Sequence, residues 1–218
     1  MEESTPVLVT AAVALVLVGS HRPWRVLRTI ITIAHEGGHA VTALLVGRRL
    51  AGMRLHADTS GVTLSRGRPT GPGMVATAFA GYVSPCVLGL GAAVVAATDW
   101  YLLPLVVGVV LLVGMLLAVR NVFGAVALLL TGAALVAVVV YAPAQVQRAS
   151  VSLLAWFLLL GGLRAIGELP WSRRSRRGME SDADLLARLT RVPAMVWVAA
   201  FGLVAVGSLL ASVALLVA

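Results

Sequence analysis

ITIAHEGGHAVTALLV, residues 31–46, is an apolar run with His35, Glu36 and His39 in its middle. Four residues separate the two histidines, so on a helix they sit one turn apart on one face, close enough to hold one zinc ion. Glu36 lies three positions before the second histidine and leans toward the same face. A carboxylate there can take a proton from a metal-coordinated water, which is how an H-E-x-x-H helix is read. A lone histidine on an apolar face is ordinarily an interior residue. Here two histidines and a glutamate coincide at ligand spacing in a stretch composed like a membrane span, where ionisable groups are costly and usually functional.

Working outward, 60% of the 218 residues are hydrophobic and 12% are charged, against about 25% charged in an ordinary soluble domain. Apolar runs of bilayer-crossing length recur along the chain, which predicts an all-α, multi-pass integral membrane protein forming one domain over residues 1–218. Net charge is +8, and all 17 basic residues are arginine. The arginines cluster in loops beside apolar runs, the pattern of retention on an anionic cytoplasmic membrane face rather than of nucleic-acid binding. Cys86 is the sole cysteine, which excludes an intramolecular disulfide and a cysteine-based metal cluster. The opening MEESTP lacks the basic start of a cleaved signal peptide, so the first apolar segment is expected to stay attached.

In order, the chain reads as about six to seven transmembrane helices. Residues 6–19 form a short apolar segment, 21–28 a polar connector with Arg22, Arg25 and Arg28, and 29–47 the motif span. Residues 48–71 are polar. Within them Met53 and Leu55 alternate with Arg54 and His56, and Val62 and Leu64 alternate with Thr63 and Ser65. The turn residues Asp58 to Gly61 stand between, so a β-hairpin is expected, with an edge on which an extended peptide can add as a strand. Further apolar segments cover 73–97 (kinked near Gly81 by Pro85), 101–119, 122–142, 150–166 and 193–217. Asn121 lies in the two-residue connection before the fifth of these elements, placed either to line a substrate site or to cap a helix. Four spans separate the hairpin from the arginine-rich 167–192 stretch, so the two share a face, the cytoplasmic one. The same alternation puts Arg22, Arg25 and Arg28 on the opposite face, against the rule.

Catalytic zinc usually takes three protein ligands and keeps one position open. Outside the motif the carboxylates are Glu2, Glu3, Asp58, Asp99, Glu168, Glu180, Asp182 and Asp184. Residues 181–189 read as an amphipathic helix opened by a capping box of Ser181 and Asp184. Asp182 shares the face of Leu185, Leu186 and Leu189, whereas Asp184 faces Arg188 and solvent. Both aspartates also suit a helix N-terminus electrostatically. Asp182 is the first choice for the third ligand, with Glu168 and Asp184 behind it.

His35-Glu36-Gly37-Gly38-His39 in a membrane span resembles the motif of the site-2 protease family of intramembrane zinc metalloproteases, and the chain is most similar to its small bacterial members. The supporting elements are Gly81, Tyr82 and Pro85; Asn121, Phe123 and Gly124; Ser181 to Ala183; Leu186 to Thr190; and Val192, Pro193 and Trp197. The resemblance implies Zn²⁺ on His35, His39 and an aspartate, with Glu36 as general base. It also implies cleavage of membrane-spanning or membrane-proximal proteins, in a bacterial cell membrane. The larger members carry their third ligand in a Leu-Asp-Gly segment, which this chain lacks. Two other classes compete: a metal-binding scaffold or regulator without turnover, and an ion transporter. A transporter needs acids or histidines on several spans, and here they gather on one. Substrate identity and oligomeric state are not legible.

Overall fold

Where lipid replaces water, backbone groups must bond within their own segment, so apolar runs become helices. The computed structural model describes residues 4–98, 100–175 and 180–217. In chain order it has α1 (Ser4–Gly19), α2 (His21–Leu45), β1 (Arg49–Leu55), β2 (Gly61–Arg66), α3 (Pro72–Ala96), α4 (Leu103–Ala118), α5 (Val122–Tyr141), α6 (Ala144–Ser175), α7 (Asp182–Thr190) and α8 (Ala194–Val217). Among these, α3, α5, α6 and α8 are each long and apolar enough to cross a membrane. A fifth candidate is the pair α1–α2, bent by 101°, and α4 is a shorter apolar helix. Glu2, Glu3, Asp99, Arg176 and Arg177 lie outside the described residues, as do the side chains of Arg173 and Arg174.

The motif helix departs from the expected span in two ways. It starts at His21, so the polar connector is helical, and it does not run from one end of the bundle to the other. Helix α1 lies parallel to α6: the hydroxyls of Thr10 and Ser152 are 2.8 Å apart, and the Arg164 guanidinium donates to the Val18 carbonyl. Helix α3 runs antiparallel to α6, with Gly162 packed on Cys86 and Gly89 on Leu159. The start of α3 and the end of α6 therefore share one end of the bundle. Helix α2 begins there, where Trp24 Nε1 donates to Glu168 Oε1 at 3.1 Å, and finishes there, where Val46 lies against Gly73. Arg22, Arg25 and Arg28 thus share a face with the hairpin arginines and with Arg188 and Arg191. The expected violation of arginine sidedness disappears.

Helix α2 is amphipathic and is wedged between two cores. Trp24 and Ile31 join Trp156, Leu159, Leu186 and Phe201 in the core of α1, α3, α6, α7 and α8. Ile33 and Ala40 join Met53, Leu55, Met115 and Leu128 in a second core beneath the hairpin, α4 and α5. Gly37 and Gly38 serve helix packing: Met115 of α4 lies over Gly37, and Ser84 of α3 fills the space beside Gly38.

β1 and β2 form the expected antiparallel hairpin, with Met53 opposite Thr63, Leu55 opposite Gly61, and an irregularity between Leu50 and Gly52. The turn is held by Asp58 Oδ1, which accepts from the Ser60 N–H at 3.0 Å, with Thr59 at φ 64°. The outer edge of β1 is covered. Val119 bridges Met53, the Arg120 N–H donates to the Met53 carbonyl at 2.8 Å, and Asn121 clasps Leu55. In that clasp Asn121 Oδ1 accepts from the Leu55 N–H at 3.2 Å and Nδ2 donates to its carbonyl at 2.6 Å.

The position of α2 is tested by single cysteines at Arg22 and Arg49, both exposed. In oriented membranes an impermeant maleimide labels both from the same side, while native Cys86, fully buried, stays unmodified. Labelling from opposite sides would restore a transmembrane α2.

Candidate metal centre

His35, Glu36 and His39 lie in the middle of α2 with one turn between the imidazoles, as the spacing requires. The third member comes from α7. Ser181 caps that helix, accepting from the Asp184 N–H at 3.3 Å, while Asp184 Oδ2 accepts from the Ser181 N–H at 3.1 Å. Leu186 and Ala183 are fully buried and press α7 onto the bundle. That places Asp182, one residue past the cap, on the inward face. Arg188, expected opposite Asp184, is bonded to Glu180.

Three donor atoms converge. His35 Nε2 and His39 Nε2 are 3.1 Å apart, and Asp182 Oδ2 is 3.1 Å from the first and 3.2 Å from the second. Two ligand atoms of tetrahedral zinc, with bonds of about 2.0–2.1 Å, stand about 3.3 Å apart, so the triangle fits such an ion. The tautomer fits as well. His39 Nδ1 is 2.7 Å from the Thr77 carbonyl, which can only accept, so Nδ1 carries the proton and Nε2 turns a lone pair inward. Asp182 Oδ2 is buried with no aligned hydrogen-bond donor. Burial pushes the Asp182 carboxyl up, but the positive charge that His39 carries when no metal is bound outweighs it and holds the group well below the usual carboxylate range. A divalent cation could take the place of that proton among the ionised oxygen and the two imidazole nitrogens. It is the one such cluster among the described residues.

Among the described residues the other carboxylates are committed elsewhere. Glu168 accepts from Trp24 and from Arg164 Nε, the latter at 2.8 Å, and pairs with Arg28 at 3.5 Å. Asp184 serves the capping box and Asp58 the hairpin turn. Asn121 stands at the N-cap position of α5 but makes no side-chain cap bond there, and it does not line the cleft around the donors. Its role in the clasp on Leu55 was legible from neither of the two placements expected for it.

The cleft holds about 410 Å³. Its floor is α2, one wall is the hairpin from Thr59 to Ser65, and the other wall comes from α3, α6 and α7. Tyr82 meets the His35 ring edge-on at 4.7 Å and stacks on Phe201 at 5.2 Å, fixing the imidazole from behind. Gly81 is required here. A Cβ on it would overlap the His39 ring and lie 2.7 Å from His35 Cε1. Two further contacts escaped the sequence reading. Thr63 Oγ1 donates to Glu36 Oε2 at 2.6 Å, and Thr32 Oγ1 donates to the Thr59 carbonyl at 2.7 Å.

The ligand assignment separates the two aspartates. Asp182→Ala is expected to abolish stoichiometric zinc binding in metal analysis of the purified protein. Asp184→Ala keeps the metal and costs about 1 kcal/mol through the lost cap, read as a lower melting temperature.

No curated protein and no solved structure matches the chain. The sequence model of one family does, over residues 8–212, a span that takes in the motif helix, the hairpin, α3 and the Asp182 helix alike. The chain belongs to that family, the Peptidase M50B-like proteins of the site-2 protease group.

Proposed function

We propose that the protein is an intramembrane zinc endopeptidase that hydrolyses peptide bonds of membrane-spanning or membrane-proximal proteins near the cytoplasmic face. The observation that supports it is the coincidence, in one cleft, of the His35–His39–Asp182 triangle, the Glu36 carboxylate and an unpaired strand edge. Membrane helices offer no backbone amides for attack, so a substrate must be held extended. The hairpin offers the means. β1 is covered on its outer side, while among the described residues β2 has no strand on its outer side.

The register says which groups β2 presents. Met53 and Leu55 turn their carbonyls outward, to Arg120 and Asn121. They therefore form non-hydrogen-bonded pairs with Thr63 and Gly61, whose own N–H and C=O groups face the free edge. An extended peptide pairs with these groups and is drawn across the floor of the cleft.

When bound, zinc supplies a Lewis acid that polarises a carbonyl and makes water more acidic. Glu36 accepts the proton of the attacking water and returns it to the departing amine nitrogen as the C–N bond breaks. Tyr82 and the Thr77 carbonyl keep the imidazoles in register.

The decisive comparison is wild type against Glu36→Gln. Purified full-length protein, loaded with zinc in detergent, is assayed on labelled casein and on a co-expressed panel of single-span proteins. Glu36→Gln should retain zinc and lose about 10²–10⁴-fold in rate. Equal activity would refute the general-base role. A wild type that holds zinc and cleaves nothing would be a metal-binding scaffold.

A further inference from the structure

We infer that Thr63 is a positioning residue for Glu36: its hydroxyl fixes the carboxylate from the same strand that presents backbone groups to the peptide. The inference rests on the peptidase reading and goes one residue deeper into it.

Glu36 is 3% exposed, and its carboxylate is held by the hairpin rather than by its own helix. Thr63 Oγ1 is 2.6 Å from Oε2 and also lies 3.3 Å from the Glu36 carbonyl. On the other side Gly61 closes over Oε1, where a Cβ would stand 2.6 Å from Cγ and 2.8 Å from Cδ. The carboxylate is therefore held between a hydroxyl donor on Oε2 and the backbone of Gly61 against Oε1. A carboxylate on a flexible side chain would otherwise sample several rotamers, and a base is effective only within hydrogen-bond reach of the proton it takes.

The strand bearing Thr63 is anchored from behind. Its partner Met53 is 1% exposed and accepts from Arg120, and Leu55 is clasped by Asn121. At the turn, Thr32 of α2 ties down the Thr59 carbonyl. The bland account of Thr63 is a strand-forming residue on the inward side of a hairpin. That account predicts that valine, equal in shape and at least as good in a strand, serves as well. The hydroxyl distinguishes the two, because valine preserves the strand and removes only the donor. The backbone groups of Thr63 that face the free edge are the same in both.

The test uses the full-length, zinc-loaded protein in detergent micelles, with fluorescein-labelled casein as an unfolded probe able to lie along β2. Thr63→Val should lower kcat by about 10–100-fold, the range for removing a partner that orients a reactive group. KM should stay within about twofold, because the interaction acts on the transition state rather than on binding. Zinc content and melting temperature should match wild type, and Thr63→Ser, which restores a hydroxyl, should recover most of kcat. Undiminished kcat in Thr63→Val overturns the inference. So does Thr63→Ser as slow as Thr63→Val, or a loss confined to KM or to bound zinc. A wild type that leaves casein intact sinks the peptidase reading and this role with it. Failure of Thr63 alone leaves the contrast between wild type and Glu36→Gln untouched.

Discussion

Two imidazole nitrogens and a carboxylate oxygen, all within 3.2 Å of one another, cannot sit among apolar helices without something positive between them. Burying an isolated carboxylate is expensive, and two facing lone pairs add repulsion to the cost. The rest of the molecule is arranged to hold the three atoms together. Helix α2 supplies two of them, one turn apart. Helix α7, only nine residues long, supplies the third, and its short length is offset by a capping box at its start and by Leu186 and Ala183 beneath it. Gly81 lets α3 come in behind the imidazoles, and the Thr77 carbonyl sets the tautomer. Remove any one of these and the others have no common reason to be where they are.

The hairpin follows from the same constraint. A cleft that exposes ionisable groups beside an apolar bundle needs a polar wall, and a two-stranded sheet is marginal unless it is supported. β1 is supported by Val119, Arg120 and Asn121 from the α4–α5 connection, which saturates its outer edge. β2 receives no such cover among the described residues. The asymmetry turns a pair of strands with two exposed edges into a template with one. The inward side chain of Thr63 on β2 then meets the Glu36 carboxylate.

Much of this was legible in the chain. The periodicity of His35, Glu36 and His39 needs only helical geometry, and Asp182 was singled out because it shares the stripe of Leu185, Leu186 and Leu189. The hairpin was readable from alternation around Asp58 to Gly61. Asn121 was not, because its partners are backbone groups of Leu55, and a backbone group has no signature in sequence. The inward position of Thr63 was not, because the alternation marks Val62 and Leu64 as the apolar side of β2, whereas the register leaves those two exposed and sets Thr63 opposite buried Met53. Nor does anything local pair it with a glutamate 27 residues earlier. The course of α2 is hidden from the sequence for a different reason. Hydropathy sees residues 29–47 as a span and residues 21–28 as a loop, whereas the helix is continuous and its polar first turns lie against Arg164 and Glu168.

That course explains how an ionic site coexists with so apolar a chain. If α2 crossed the bilayer, Arg22, Arg25 and Arg28 would stand on the face opposite the other arginines, and the three donor atoms would sit deep in hydrocarbon. With both ends of α2 at one end of the bundle, its arginines, the Glu168 cluster, the hairpin and Asp182 all lie on a single polar side. The 101° bend between α1 and α2 is therefore the feature that lets a helix of membrane-like composition begin and finish at the same end of the bundle. The misplaced arginines in the linear reading were the trace of that bend.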